Sequence, residues 1–359
     1  MVKILHAADF HLDSAFVALS EEQARQRRQE SRETVERMVD YANDHGAQLM
    51  LLAGDLFDGD SVYSQTGEML CEALGRFTGQ VVIAPGNHDS YRAKSAYARI
   101  ALPENVYVFT QTEQERIAFP QYGCTVYGAA FTGEEAPAWR GFSVSGEDLA
   151  IGLLHGDVGV KDGKYRPISV DSMAKSGLSY LALGHVHQCS GVQMAGKTAW
   201  AYPGCLEGRG FDELGDKGFL FGTVDTDSVK LRFVPFAKRR YKLLEVDITD
   251  TDPLQAILGK LPLQTESDIY RIVLTGEVSE GINIAALQEE LAPRFYALEI
   301  RDKTRAAQDI WAKQDDDTLR GLFLQNLRQK VDAAVSEEER QMLEKAVRFG
   351  LAAMDNREM

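Results

Sequence analysis

The chain carries seven histidines, and five of them sit in short segments that also hold carboxylates, an amide and glycines. The segments are Asp9-Phe10-His11, Gly54-Asp55-Leu56-Phe57-Asp58, Gly86-Asn87-His88-Asp89, Leu154-His155-Gly156-Asp157 and Gly184-His185-Val186-His187. Imidazole nitrogen, carboxylate oxygen and amide oxygen together form the ligand set for borderline-hard divalent cations. The expected chemistry is hydrolysis at a dinuclear metal centre. Two cations about 3.5–4 Å apart can clamp a phosphoryl group, activate a water and stabilise the attacking and leaving oxygens.

Each residue then has an expected job. Asp9 and His11 are separated by one residue, so on an extended segment they point the same way and can share one metal. Asp55 follows a glycine that permits a sharp backbone turn, and its two oxygens suit a bridge between two cations. Asn87 offers an amide oxygen, His155 and His185 offer imidazoles, and His187 returns to the first metal. On an extended segment His88 points away from Asn87. It is the expected catalytic histidine, a non-ligand that orients the scissile phosphate or protonates the leaving oxygen. Asp89 is expected to hold the His88 ring through its other nitrogen. Asp58 has three open readings: it orients a ligand, caps the following segment, or does neither. His6 and His45 follow no apolar strand run and are expected to be ordinary core or surface residues.

Short apolar runs must deliver these motifs. Val2–Ala8, Gln48–Ala53, Val81–Ala84, Ala150–Leu154 and Tyr180–Leu183 read as buried strands, each ending just before a motif. Residues 21–45 read as a long amphipathic helix. In open α/β sheets, sites form at the carboxyl ends of strands, so five strand ends are expected to converge on one edge. From about 190 to 236 the pattern is pure β, with strands at Gly191–Met194, Thr198–Tyr202, Phe219–Val224 and Val229–Val234. The expected fold class is α/β (α+β), with a two-sheet core over residues 1–240 flanked by helices. A second unit is expected over 241–312, with a βαβαβ pattern in 241–304. A helical tail follows over 313–359, with Asp315, Asp316 and Asp317 at one helix start and a capping box of Ser336 and Glu339 at the next.

These motifs, in this order, resemble the calcineurin-like metallophosphoesterase superfamily, and within it the bacterial DNA-repair exonucleases of the SbcD and YhaO type. The opening block Ile4 to Leu12, the Asp55-Leu56-Phe57-Asp58 block and Ala201-Tyr202-Pro203-Gly204-Cys205-Leu206-Glu207 carry the resemblance. It implies one metal on Asp9, His11, Asp55 and His187 and another on Asp55, Asn87, His155 and His185, with His88 catalytic. It also implies two divalent ions, usually Mn(2+), and exonucleolytic cleavage of DNA with 3′ to 5′ polarity. Further implications are a DNA-capping second domain, an SMC-like coiled-coil ATPase (SbcC-like) as partner at the helical tail, and a homodimer. Some relatives have histidine where this chain has Asp58, and Cys205 stands where serine is usual.

Composition bounds these readings. The net charge of −15 is a poor footprint for a protein that binds nucleic acid over its whole surface. Basic clusters at Arg25, Arg27, Arg28 and Arg32, at Lys161, Lys164 and Arg166, and at Lys238, Arg239 and Arg240 each read as a solvated face. Four cysteines without C-x-x-C spacing fit a reducing cytoplasm. No signal-peptide layout or membrane span is expected. The alternative to a nuclease is a small-molecule phosphodiesterase or phosphatase with the same site. A structural subunit with a decayed site is a third reading, which the complete ligand set opposes.

Overall fold

The computed structural model describes residues 1–17, 19–59, 62–144, 149–278, 281–306 and 310–354. The last five residues of the expected helical tail, 355–359, lie outside the described residues. The first half runs β1 (Val2–Ala7), α1 (Glu21–Asp44), β2 (Leu49–Leu52), α2 (Ser64–Gly75), β3 (Gln80–Ile83), α3 (Ala96–Arg99), β4 (Val106–Val108), β5 (Glu115–Phe119), β6 (Cys124–Gly128) and β7 (Leu149–His155). It continues through α4 (Val170–Ala174), β8 (Tyr180–Gly184), β9 (Gln193–Ala195), β10 (Thr198–Ala201), β11 (Gly218–Val224), β12 (Val229–Pro235) and β13 (Tyr241–Asp247). Then come α5 (Pro253–Lys260), β14 (Ile269–Thr275), β15 (Glu277–Val278), α6 (Ile284–Leu291), β16 (Ala297–Asp302), β17 (Arg305–Ala306), α7 (Leu319–Asp332) and α8 (Glu337–Met354).

Two six-stranded mixed sheets form the core, in the orders β12-β11-β1-β2-β3-β4 and β5-β6-β7-β8-β10-β9. The first sheet shows why its strands read as unbroken apolar runs. Leu5, Ala7, Met50 and Leu52 face a helix-covered layer with Val35, Met38 and Leu70. Their alternate neighbours Val2, Ile4, Leu49 and Leu51 face Val126, Ile151, Leu153 and Ala182 of the second sheet. Burial of both faces removes the polar alternation that a half-exposed strand would show. The outer face of the second sheet is covered by Trp139, Phe142, Ile168 and Met173. Strands β4, β5 and β6 were not anticipated; β4 has three partly buried residues and β5 carries Glu115 and Arg116 among its five, so neither forms an unbroken apolar run.

Helix α1 starts at a capping box in which Ser20 and Gln23 satisfy each other's backbone N–H groups. One arginine in each basic cluster departs from the expected solvated face. Arg27 is fully buried, 2.9 Å from Glu30 and 2.9 Å from Glu207. Arg239 donates to Glu30 at 2.8 Å. Buried Arg166 donates to the carbonyls of Ala129 and Ala130 at 2.9 and 2.6 Å. Each pairing satisfies a guanidinium that burial would otherwise penalise.

The chain divides into two compact units. One comprises Met1–Leu244, Pro262–Ile272 and Gln288–Glu299; the other comprises Glu245–Leu261, Val273–Leu287 and Ile300–Met359. Strands β13, β14 and β16 order into a three-stranded sheet, and β15 pairs with β17 in parallel. In the second unit, α7 is capped by Thr318, whose hydroxyl accepts from Gly321 N–H at 3.1 Å; the three aspartates before it are not the cap. Ser336 caps α8 by accepting from Glu339 N–H at 3.1 Å. Leu324, Val347 and Leu351 form the small core between these two helices.

Candidate metal centre

The strands of the sandwich end level with one another. Ala7 pairs with Leu52, and Leu52 pairs with Ile83. In the second sheet His155 pairs with Gly184. The loops leaving these ends therefore start at one height, and the site gathers the ends of β1, β2 and β3 from one sheet and β7 and β8 from the other. The expected single edge is thus a seam shared by two sheets. Backbone bonds zip the first two loops together: Asp9 N–H to Gly54 O at 3.0 Å and His11 N–H to Asp55 O at 2.9 Å.

The backbone at the site is not extended. Asp9, His11, Asp55 and His185 have φ of 55°, 44°, 52° and 110°. A non-glycine residue in that region costs on the order of 1–3 kcal/mol and persists where the surroundings impose it. Asp9 and His11 therefore converge through two left-handed turns, not through strand alternation as the sequence suggested. Glycine permits close packing here: a Cβ at Gly184 would lie 1.9 Å from the Ala53 carbonyl oxygen, and one at Gly86 2.2 Å from Oδ1 of Asp55.

Three histidines of the site have Nδ1 committed to an acceptor. Nδ1 of His11 is 2.9 Å from Oδ1 of Asp58. Nδ1 of His187 is 2.6 Å from Oε1 of Glu213. Nδ1 of His155 is 2.8 Å from the carbonyl oxygen of Ala53. A carbonyl or an ionised carboxylate can only accept, so each Nδ1 carries a proton, and each ring in its neutral form presents a lone pair at Nε2. Those lone pairs meet other acceptors. Nε2 of His11 and Nε2 of His187 are 3.2 Å apart. Nε2 of His155 is 3.1 Å from Oδ1 of Asn87 and 3.3 Å from Oδ2 of Asp55. Converging acceptors repel unless a cation lies among them, so the donor set fits divalent ions.

Two clusters have ligand atoms within 4.8 Å of one another: Asp9 with His11 and His187, and Asp55 with His155 and His185. Asp55 connects them, since its Oδ2 is also 3.7 Å from Nε2 of His11. The ligand atoms of His11, Asp58 and His88 also lie within 4.8 Å of one another. It reduces to the His11–Asp58 hydrogen bond with His88 beside it.

The electrostatics ask for positive charge. Burial raises the Asp9 carboxyl above its usual range. Burial also pushes Asp55 up, but His155, His11 and His88 outweigh it and hold it well below the usual carboxylate range. Burial opposes protonation of His155, yet the carboxylates of Asp55 and Asp9 raise it to about 9. Burial lowers His11 to about 4. A buried imidazole driven to hold a proton marks a place where a metal ion would displace that proton.

His88 is the exposed member of the set. Its side chain is 47% exposed, its ring meets the His11 ring edge-on at 4.9 Å, and its backbone N–H donates to Oδ1 of Asp55 at 2.9 Å. It is placed to meet a substrate. Asp89 is not its partner. The Asp89 carboxylate is buried and accepts from Gly86 N–H at 2.7 Å, Leu56 N–H at 2.7 Å and the Tyr97 hydroxyl. The carboxylate nearest the His88 ring is Asp58, 3.9 Å from Nδ1. The expected Asp89–His88 contact fails because the Gly86 and Leu56 N–H groups and the Tyr97 hydroxyl hold the carboxylate in the interior.

Glu213 and Arg209 were not anticipated. They lie in the glycine-rich segment Gly208–Gly215, which has neither apolar periodicity nor a histidine to draw attention. Asp157 approaches His185, with Oδ2 3.4 Å from Nε2. His6 is buried, between the Tyr180 hydroxyl at 2.8 Å and the Leu183 carbonyl at 3.1 Å. His45 stacks on Tyr41 at the end of α1.

A two-sheet sandwich with imidazoles, carboxylates and an amide at level strand ends has the form of a dinuclear metallohydrolase. The chain belongs to the calcineurin-like phosphoesterase family, whose model matches residues 2–189. It is 29% identical over 345 residues to the uncharacterized metallophosphoesterase YhaO of Bacillus subtilis (strain 168), covering 90% of this chain and 83% of that one. It is 23% identical over 235 residues to the DNA double-strand break repair protein Mre11 of Methanopyrus kandleri, covering 60% of this chain and about half, 51%, of that one. The chain is a metal-dependent phosphoesterase of the hydrolase class. Among the described residues no helix is long and apolar enough to cross a membrane.

Proposed function

We propose that this chain is a manganese-dependent DNA exonuclease acting in double-strand-break repair. The observation that carries the metal reading is the facing pair of His11 and His187 Nε2 atoms at 3.2 Å, with both Nδ1 atoms already committed. Asp9, His11 and His187 would hold one ion, Asn87, His155 and His185 the other, and Asp55 both. Such a pair supplies Lewis-acid charge to a phosphoryl group and a nucleophile from water at neutral pH. The protein's own part is to present His88. Its exposed imidazole would donate a proton to the leaving oxygen or a hydrogen bond to the phosphate.

DNA as substrate is supported by the similarity to the DNA double-strand break repair protein Mre11 and by chain beyond the sandwich. On this reading residues 241–312 shape the DNA site and the helices of 313–359 dock an SMC-like ATPase in the cytoplasm, with the nuclease working as a homodimer. The acidity of the chain favours a second reading, a small-molecule phosphodiesterase. Purified protein with Mn(2+) is to be offered linear duplex DNA and, separately, a chromogenic phosphodiester. Shortening of DNA from its ends is expected. Turnover of the small ester with DNA untouched would replace the first reading by the second.

A further inference from the structure

We propose that Arg209 is a positioning residue for the ion held by Asp9, His11 and His187. Its guanidinium holds Asp58 and Glu213, and through them sets the direction of both imidazoles.

The contacts close into a ring. Nη1 of Arg209 is 3.2 Å from Oδ1 of Asp58. Nη2 is 2.9 Å from Oε1 of Glu213, and the Arg209 backbone N–H donates to Oε2 of Glu213 at 2.7 Å. Asp58 takes Nδ1 of His11 at 2.9 Å, and Glu213 takes Nδ1 of His187 at 2.6 Å. The two Nε2 atoms then face each other at 3.2 Å. One guanidinium thus ties together the carboxylates that direct both rings, and the gap between the two Nε2 atoms is the one a cation would fill.

The fork geometry matters. Asp58 comes from the loop after β2, whereas Glu213 comes from the loop before β11. A planar guanidinium can donate to two carboxylates on separate elements at fixed angles, which an ammonium cannot reproduce. Ionised carboxylates held this way fix the ring of a ligating histidine and raise its basicity. The guanidinium is only partly covered, with 24% of the side chain exposed, so its removal need not open the core.

Charge alone predicts the opposite result. A cationic side chain near a metal site repels the ion, so removing it should tighten binding. Positioning predicts weaker binding. The sign of the change therefore separates the two roles.

The inference rests on the two-ion reading of the site and not on which phosphoester is cut. The test is isothermal titration of Mn(2+) into the metal-free full-length protein. Wild type is expected to take up two ions. Arg209→Gln should lose roughly 10- to 100-fold in affinity at one of them, with the other unchanged. Arg209→Lys, which keeps the charge and loses the fork, should also be weakened. Nitrogen-15 NMR of the imidazoles gives a second readout: Nδ1–H tautomers for His11 and His187 in wild type, and a mixture in either variant. If the glutamine variant does not fold, the lysine variant and its NMR signature decide. Unchanged or tighter binding, equal weakening of both ions, or full recovery by lysine would overturn the proposal. Uptake of fewer than two ions by wild type would instead overturn the two-ion reading itself.

Discussion

The Asp89 carboxylate and the Tyr97 hydroxyl meet in the interior beneath the metal centre, where the same carboxylate also receives the N–H groups of Gly86 and Leu56 at 2.7 Å each. One side chain thereby ties the β2 loop to the β3 loop. Asp89 is buried and belongs to the scaffold of the site.

Asp89→Asn turns one accepting oxygen into a donating amide among donors. A buried group left without its partner costs about 1–3 kcal/mol, more when charged. The variant should lose roughly 2–3 kcal/mol in urea unfolding and part of its activity, because the two loops would no longer be held in register. Tyr97→Phe removes one donor only and should cost about 1 kcal/mol. Equal stability of Asp89→Asn and wild type would remove the scaffold role.

His88→Ala should keep both metal ions and lose turnover. The ring is exposed and its ring nitrogens hold no other ligand residue, so its loss leaves the donor set intact. General acid catalysis contributes roughly 10²–10⁴-fold, and kcat should fall within that range. Metal content by elemental analysis should stay at the wild-type value. An active His88→Ala enzyme would show that another group handles the leaving oxygen.

Metal removal should lower thermal stability. Without a metal the converging acceptors around His11, His155 and His187 repel one another or must take up a proton, as His155 is driven to do. An ion at 100 times its dissociation constant adds about 2.7 kcal/mol per site. Chelation should therefore lower the melting temperature, and added Mn(2+) should restore it. Asp55→Ala should lose most of that metal-dependent shift, since Asp55 connects both clusters.

Acid should destabilise the fold through His6. Burial lowers this imidazole from 6.5 to about 3, with the Leu183 carbonyl opposing. Between those values the unfolded chain binds a proton that the folded chain does not. Stability is therefore fully present above pH 6.5 and is lost as pH falls toward 3, at up to about 1.4 kcal/mol per unit. His6→Gln should flatten the pH dependence of unfolding free energy across that window. An unchanged slope would assign the acid sensitivity to other groups.

The residues that could bind metal, and the strands that deliver them, were legible in the chain itself. Apolar runs of four to seven residues end just before each motif, and burial on both faces makes such runs conspicuous in β1, β2, β7 and β8. The exclusion of His6 and His45 from the site was equally legible, since neither follows a strand end: His6 lies within β1 and His45 closes α1. Short-range pattern carries this information because a strand's period and the turn after it are local properties.

Other features were decided only by the tertiary structure. The sequence placed Asp89 beside His88, but the Gly86 and Leu56 N–H groups and the Tyr97 hydroxyl hold it in the interior. It suggested strand alternation for Asp9 and His11, but both residues turn left-handed because bonds to Gly54 and Asp55 hold them there. It left Asp58 open and passed over Glu213 and Arg209, which reach His11 and His187 across long stretches of chain. Ligand type and strand position are written in neighbouring residues. The direction of each imidazole depends on a carboxylate or carbonyl that only folding brings to its other nitrogen.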